Sequence, residues 1–178
     1  AFTGKTVAIT GGTSGIGGAT ALAFARLGAR VLSLGLNAGG PDAPVHENVT
    51  CQEMDVRDRE ALAASIDSLG QLDVLVNCAG VIGPNNHKIT EVDMVEYDAT
   101  LAVNLRGSYL MTKYALVEME KRDYGRVLLI ASIAGKEGNA RMSPYSISKA
   151  GVIGLVKAVG KEYAETGITI NALAPAAI

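Results

Sequence analysis

The chain has 178 residues and a mass of 18.4 kDa, enough for one domain that withdraws roughly two-thirds of its unfolded surface from water. Hydrophobic residues at 48% argue against disorder, and a net charge of -2 without any Lys/Arg run argues against a nucleic-acid or anionic-membrane partner. Cys51 and Cys78 lie in no CxxC pair or His cluster, so neither a disulfide framework nor a bound metal is expected, and the start "AFTGKTVAIT" lacks a signal-peptide pattern. A soluble, cytoplasmic protein follows, because no apolar run reaches the roughly 18 residues of a membrane span.

In chain order, "TVAIT" (6 to 10) reads as a buried strand and is followed by "TGGTSGIGGAT". There Gly11, Gly15 and Gly17 stand in a G-x-x-x-G-x-G spacing ahead of a helix from Ile16 to Leu27 that Gly28 stops. Glycines between a strand and a helix let the backbone turn sharply and approach a pyrophosphate, whose charge the helix N-terminus holds. The second strand, "ARVLSL" (29 to 34), ends in "GLN" with no acid and no Arg or Lys near Gly35 or Asn37. A ribose-binding carboxylate is sought about 20 residues beyond the glycines, so its absence leaves NAD and NADP undistinguished. Asn37 can hydrogen-bond a ribose hydroxyl in either.

The loop from Asn37 to Asn48 leads to a third strand, "VTCQEM" (49 to 54). Asp58 is the expected N-cap of a helix from Arg59 to Leu69, with Gly70 as its stop. After the strand "DVLVN" (73 to 77), Thr90 with Asp93 suggests a capping box opening the next helix. Asn104 is a polar residue inside the apolar helical "LAVNLRG"; it either bonds locally or bridges to a distant lysine through water. The strand "RVLLIAS" (126 to 132) closes on Ser132. A long helix, "SPYSISKAGVIGLVKAVGKEYAETG", runs to Gly167, and the sixth strand is "ITINAL" (168 to 173).

Six strands alternating with helices predict an α/β fold, a Rossmann-like doubly wound parallel sheet with helices on both faces. Most of the strand runs are apolar without alternation, as in strands covered on both sides. In "YSISK", Tyr145 and Lys149 are four residues apart on one helix face, so phenol and ammonium converge. A nearby cation favours the phenolate of a phenol that is otherwise a poor base at neutral pH. Ser132 would sit at the carboxyl edge of the sheet, where open α/β folds bind ligands, and a hydroxyl there can hold a carbonyl oxygen.

Together these residues resemble the short-chain dehydrogenase/reductase family, from "GKTVAITGGTSGIG" to the last residue. "TGGTSGIG" resembles its cofactor turn, which implies Gly11, Thr13, Ser14, Gly15, Ile16 and Gly17 at the dinucleotide. "NCAG" resembles its sheet-stabilising Asn-Asn-Ala-Gly motif, placing Asn77, Ala79 and Gly80 at the cofactor's edge. "MDV" similarly implies Asp55 at the adenine amino group and Val56 beside the ring; Asn37, Pro175 and Ile178 complete the implied cofactor contacts. Asn104, Ser132, Tyr145 and Lys149 match the family's catalytic tetrad, the last two also touching the cofactor.

The resemblance implies hydride exchange between NAD or NADP and a secondary alcohol or ketone, without metal. Tyr145 would pass the proton, Lys149 would favour its phenolate and hold the nicotinamide ribose, Ser132 would polarise the substrate oxygen, and Asn104 would keep a relay water. "SIAGKEGNARMSPY" resembles members acting on sugar acids and polyols, with 3-oxoacyl thioesters and cyclic diols as other substrates of related sequences. A homotetramer or homodimer is implied, formed through "GSYLMTKYALVEMEK" and the Tyr-Lys helix. The alternatives are a non-catalytic dinucleotide-binding redox sensor and an epimerase or dehydratase of the extended branch, whose glycine turn is spaced differently.

Two departures stand out. Cys78 replaces the second Asn of the motif, and Ala176 follows Pro175 where the family has glycine. Members also continue for about 70 residues, half a small domain, with a seventh strand and a substrate lid. Residues 1 to 178 are therefore expected to be a single domain truncated at its C-terminal end, its sixth strand an apolar edge.

Overall fold

A computed structural model describes residues 1 to 176; Ile178, an expected cofactor contact, lies outside the described residues. Six strands, β1 (Thr6–Thr10), β2 (Arg30–Gly35), β3 (Val49–Glu53), β4 (Val74–Asn77), β5 (Gly125–Ile130) and β6 (Ile168–Leu173), form one sheet. Every pairing is parallel and the order is β3-β2-β1-β4-β5-β6. The helices are α1 (Gly15–Arg26), α2 (Arg59–Asp67), α3 (Met94–Leu101), α4 (Ser108–Glu120), α5 (Ala134–Glu137) and α6 (Ser143–Glu162). This is the doubly wound Rossmann-like order expected of alternating strands and helices.

The central strands match their composition: all of β1 and β4 is buried, because continuous Val, Ile and Leu runs suit cover on both faces. The edge strands depart from that expectation. Thr50, Gln52 and Glu53 of β3 are exposed, as are Thr169, Asn171, Ala172 and Leu173 of β6. An edge strand has a neighbour on one side only, so position in the sheet decides its cover.

Two apolar layers sandwich the sheet. Leu62 and Ile66 of α2, Met111 and Met119 of α4 and Val152 of α6 pack with Leu34, Leu75, Val127 and Leu129 on one face. On the other, Ala21 and Ala25 of α1 meet Val7, Ile9, Val31, Val74 and Val76, and Phe2 stands edge-on to Phe24 at 4.9 Å. Each fully buried Leu, Ile or Met contributes about 1.5–3 kcal/mol of transfer free energy.

Local signals set most boundaries. The Asp58 carboxylate accepts from the Glu60 and Ala61 amides at 3.1 and 3.0 Å and so caps α2. Gly28 and Gly70 end α1 and α2 regions with φ of 91° and 64°. The expected Thr90–Asp93 box is not what forms. Thr90 lies inside a 3-10 turn (Ile89–Glu91), Val92 is extended, and Asp93 is itself the N-cap of α3, accepting from Val95 N–H at 2.7 Å. The extended Val92 separates two short pieces that the sequence pattern had merged.

Helix α6 ends at Glu162, five residues before Gly167. The tail instead folds back: Gly167 donates to Asp123 Oδ1 at 2.9 Å, and a Cβ on Gly167 would fall 1.9 Å from the Asp123 carbonyl. That close approach fixes the entry to β6. Between α3 and α4 the chain widens into a π-helical segment (Ala102–Gly107), the kind of bulge that often accompanies functional sites.

Candidate active site

Strands β2 and β3 lie on one side of β1, and β4 to β6 on the other, so the winding reverses between β1 and β4. That reversal leaves a crevice at the carboxyl ends of the strands. Gly11, with φ of 62°, lies so close to β4's exit that a Cβ would be 2.7 Å from Ala79 N. A Cβ on Gly17 would be 2.1 Å from the Gly11 carbonyl, so only glycine lets α1 start against the turn. Ser14 is the N-cap of α1 in extended conformation without a side-chain cap bond, which leaves the first-turn amides for a ligand.

A cleft of about 570 Å³ opens beyond this turn. Gly11, Thr13 and Ser14 line one part, Asn37, Asp55 and Val56 another, and Ala79 and Gly80 the side between. The glycine cradle, the uncapped helix start and a cleft lined from Gly11 to Asp55 fit a dinucleotide. Gly15 sits in the first turn of α1 with φ of 51°, while Ile16 is 60% exposed; neither they nor Gly17 line the cleft.

Asn77 is not brought to the cleft either. It is 2% exposed, its Oδ1 accepts from Thr10 Oγ1 at 2.7 Å, and its Nδ2 donates to Ser108 Oγ at 2.9 Å. Its amide bonds are spent on tying β4 to β1 and α4, the sheet-stabilising part of the expectation. Pro175 is half-buried and its carbonyl accepts from Ile133 N–H at 3.0 Å, extending the pairing of β5 with β6 rather than lining the cleft.

At the ribose end the expected Thr13 and Asp55 are held by two residues that the sequence pattern missed, Leu36 and Arg57. Thr13 Oγ1 donates to the Leu36 carbonyl at 2.7 Å, and a Cβ on Gly35 would be 2.5 Å from that oxygen. Gly35 therefore has no room for the acid sought there. The Asp55 carboxylate is gripped by Arg57: Nε donates at 2.9 and 3.0 Å to the two oxygens, and the Arg57 amide at 2.9 Å. These side-chain hydrogen bonds hold Asp55 below its ordinary 3.8, against the upward push of burial. Arg57 follows "MDV" directly, and its charge two residues from an acid was the available signal.

The tetrad candidates gather at the ends of β4 and β5. Lys149 on α6 is 5% exposed and its Nζ donates to the Ile130 carbonyl at 2.8 Å. That nitrogen lies 5.8 Å from the centre of the half-buried Tyr145 ring, one helical turn away. Burial pulls the Lys149 pKa down. Ser132, 9% exposed, follows β5, and its Oγ accepts from Ala134 N–H at 3.2 Å. Gly135 lets the two segments meet, since a Cβ there would be 2.5 Å from the Lys149 carbonyl carbon.

Asn104 makes the local bonds that were one of its two expected roles. It is fully buried; its Oδ1 accepts from Val81 N–H at 2.8 Å, and its Nδ2 donates to the Val81 carbonyl at 2.8 Å and to Ser148 Oγ at 3.0 Å. The amide thus clamps the segment after β4. Ser148, overlooked between Tyr145 and Lys149, passes the connection on by donating to the Tyr145 carbonyl at 2.7 Å. Among the described residues no three His, Cys, Asp or Glu side chains gather as metal ligands, and no helix is long and apolar enough to cross a membrane.

A parallel doubly wound sheet with a glycine cradle at its switch point and a Ser, Tyr and Lys beside it defines a dinucleotide-dependent oxidoreductase class. The sequence profile described as "short chain dehydrogenase" matches residues 5 to 178, and the chain belongs to that family. It is accordingly an NAD(P)-dependent dehydrogenase/reductase. A 3-oxoacyl-acyl-carrier-protein reductase of Rickettsia conorii is 34% identical over 177 residues, covering 98% of this chain and 73% of the relative. The structure titled "ElxO with NADP Bound" superposes with a TM-score of 0.88 at 33% identity, over 97% of this chain and 73% of its own. An NAD+-bound xylitol dehydrogenase gives 0.90 at 30% identity, over 98% and 71%.

Proposed function

We propose that the chain interconverts a secondary alcohol and the corresponding ketone, with Tyr145 as the acid/base. The observation that carries this reading is the buried Lys149 amine anchored on Ile130 and held 5.8 Å from the Tyr145 ring, beside Ser132. The bound nicotinamide supplies or accepts the hydride. In reduction, Ser132 Oγ–H donates to the carbonyl oxygen, and the Tyr145 hydroxyl delivers a proton to that oxygen as it becomes an alkoxide; in oxidation the phenolate takes the proton back. Lys149 in its ammonium form favours that phenolate and holds the nicotinamide ribose. Asn104 acts as a positioning residue through Val81 and Ser148.

A sugar acid, a polyol or a 3-oxoacyl compound is the proposed substrate class. The names of the similar proteins support the last two, and the loop after Ser132, "SIAGKEGNARMSPY", resembles that of enzymes of sugar acids and polyols. The test is turnover of such a panel with both cofactors by wild type and Tyr145→Phe. The variant should lose about 10²- to 10⁴-fold in kcat while still binding the dinucleotide. Undiminished turnover by the variant would overturn Tyr145 as the acid/base, and cofactor binding with no turnover of any substrate in the panel would return the reading to a redox sensor.

Assembly as a homodimer or homotetramer belongs to the same reading. It is supported by a groove of about 210 Å³ between α4 and α6, where Tyr109 and Val117 are 56% and 52% exposed. Sedimentation of the protein at micromolar concentration should give a dimer or tetramer, and a monomer alone would overturn it.

A further inference from the structure

The end of β2 carries no acid, yet a carboxylate reaches it from the neighbouring strand. Glu53, the last residue of β3, pairs in register with Gly35. Its Oε1 accepts from the Asn37 amide at 3.1 Å and its Oε2 from the Ala38 amide at 2.9 Å. Asn37 is left-handed, with φ of 58°, and this turn makes two successive N–H groups converge. Converging amides of this kind form a concavity that binds anions. In this chain the protein fills it with its own carboxylate.

In a sheet of this type, a dinucleotide with its pyrophosphate at the start of α1 places the adenosine ribose at the end of β2. Here that is the cleft wall formed by Gly35, Leu36 and Asn37. The charged residues lining the cleft are Asp55, Arg57 and Glu96, and Arg57 is already committed to Asp55. The loop from Leu36 to Asn48 contains no Lys or Arg. Glu53 is not itself among the lining residues; its carboxylate reaches the wall through the Asn37 amide, so an extra phosphate on the ribose would find the amides occupied, no uncommitted guanidinium on the wall, and negative charge beside it.

We propose that Glu53 selects NAD over NADP, supplying from β3 the negative charge that Thr13 leaves no room for at Gly35. The inference rests on the cofactor reading above. A carboxylate has about four lone-pair positions, and the two amides use two of them. The others accept from ribose hydroxyls, whereas a 2'-phosphate meets like charge and loses the amide concavity as a binding place.

Binding of NADH and NADPH, followed by nicotinamide fluorescence or calorimetry, tests this without requiring turnover. Wild type should bind NADH about tenfold or more tightly than NADPH, as like-charge repulsion near the surface requires. Glu53→Ala and Glu53→Gln should narrow that ratio by about fivefold or more, chiefly by strengthening NADPH binding. Glu53 is exposed, and Glu53→Gln keeps its size and one acceptor, so folding can be verified by thermal melting. Equal affinities in wild type, a preference for NADPH, or parallel changes for both dinucleotides in the variants would overturn the proposal alone. Binding of neither would overturn the cofactor reading and this inference with it.

Discussion

At Cys78, one substitution in the family's Asn-Asn-Ala-Gly motif places a thiol beside the candidate lysine. Burial pushes that thiol up to about 11, with Lys149 pulling in the opposite direction. Two units above the ordinary 9.0 reduces the thiolate at neutral pH about 100-fold, and the thiolate is the form that reacts. Iodoacetamide at pH 7.5 should therefore modify Cys78 about 100-fold more slowly than a thiol of ordinary pKa, followed by peptide mass spectrometry. Rapid labelling would mean that the site is more open or more electropositive than described. Tyr145 and Lys149 were legible as a pair because a helix puts i and i+4 on one face. The partners of Asn104 were not, because Val81 and Ser148 are 23 and 44 residues away from it.

Between elements, hydrogen bonds run from the cofactor turn to the tyrosine. Thr10 bonds Asn77, Asn77 bonds Ser108, and Ser108 Oγ donates to the Asn104 carbonyl at 2.6 Å. Asn104 then bonds Ser148, and Ser148 bonds Tyr145. The π-helical widening at Ala102–Gly107 belongs to this arrangement, since Asn104 lies within it. Ser148→Ala would leave the buried Asn104 amide one partner short, at a cost of about 1–3 kcal/mol. For a chain of this length the thermal midpoint should drop by roughly 2–4 °C per kcal/mol, measurable by calorimetry. An unchanged midpoint would show that Asn104 holds its place through Val81 alone.

Over the whole molecule, the end of the sheet opposite the cleft is tied at Asp73. This side chain is fully buried just before β4; it accepts from Thr6 N–H and Gln71 Nε2 at 2.9 Å and pairs with Arg122 at 3.3 Å and Lys5 at 3.4 Å. Burial pushes its pKa up, but the Thr6, Gln71 and Arg122 hydrogen bonds and the Lys5 charge together bring it below the ordinary 3.8. A folded-state pKa below the unfolded value stabilises above that unfolded value, and the contribution disappears as pH falls through the folded one. Asp73→Asn should cost about 2 kcal/mol at pH 7, less than the roughly 3–5 kcal/mol of a wholly buried pair because Lys5 and Arg122 are each about one-third exposed. Urea titrations should show the difference shrinking from about pH 4 downward. A difference independent of pH would assign the loss to packing.

The glycine turn, the six-strand alternation, the Asp58 cap and the Tyr-Lys spacing were determined by the sequence itself, because each depends on backbone geometry within a few residues. The expected strand runs also place β1 and β4 where they fold, since their apolar runs need cover on both sides. Only the tertiary structure decided that β3 became the other edge, where α6 stopped, and what Asn77 and Asn104 spend their amides on. It also brought Glu53 from one strand to the end of another. These outcomes depend on neighbours tens of residues away, and a side chain's local pattern does not encode the identity of a partner supplied by the fold.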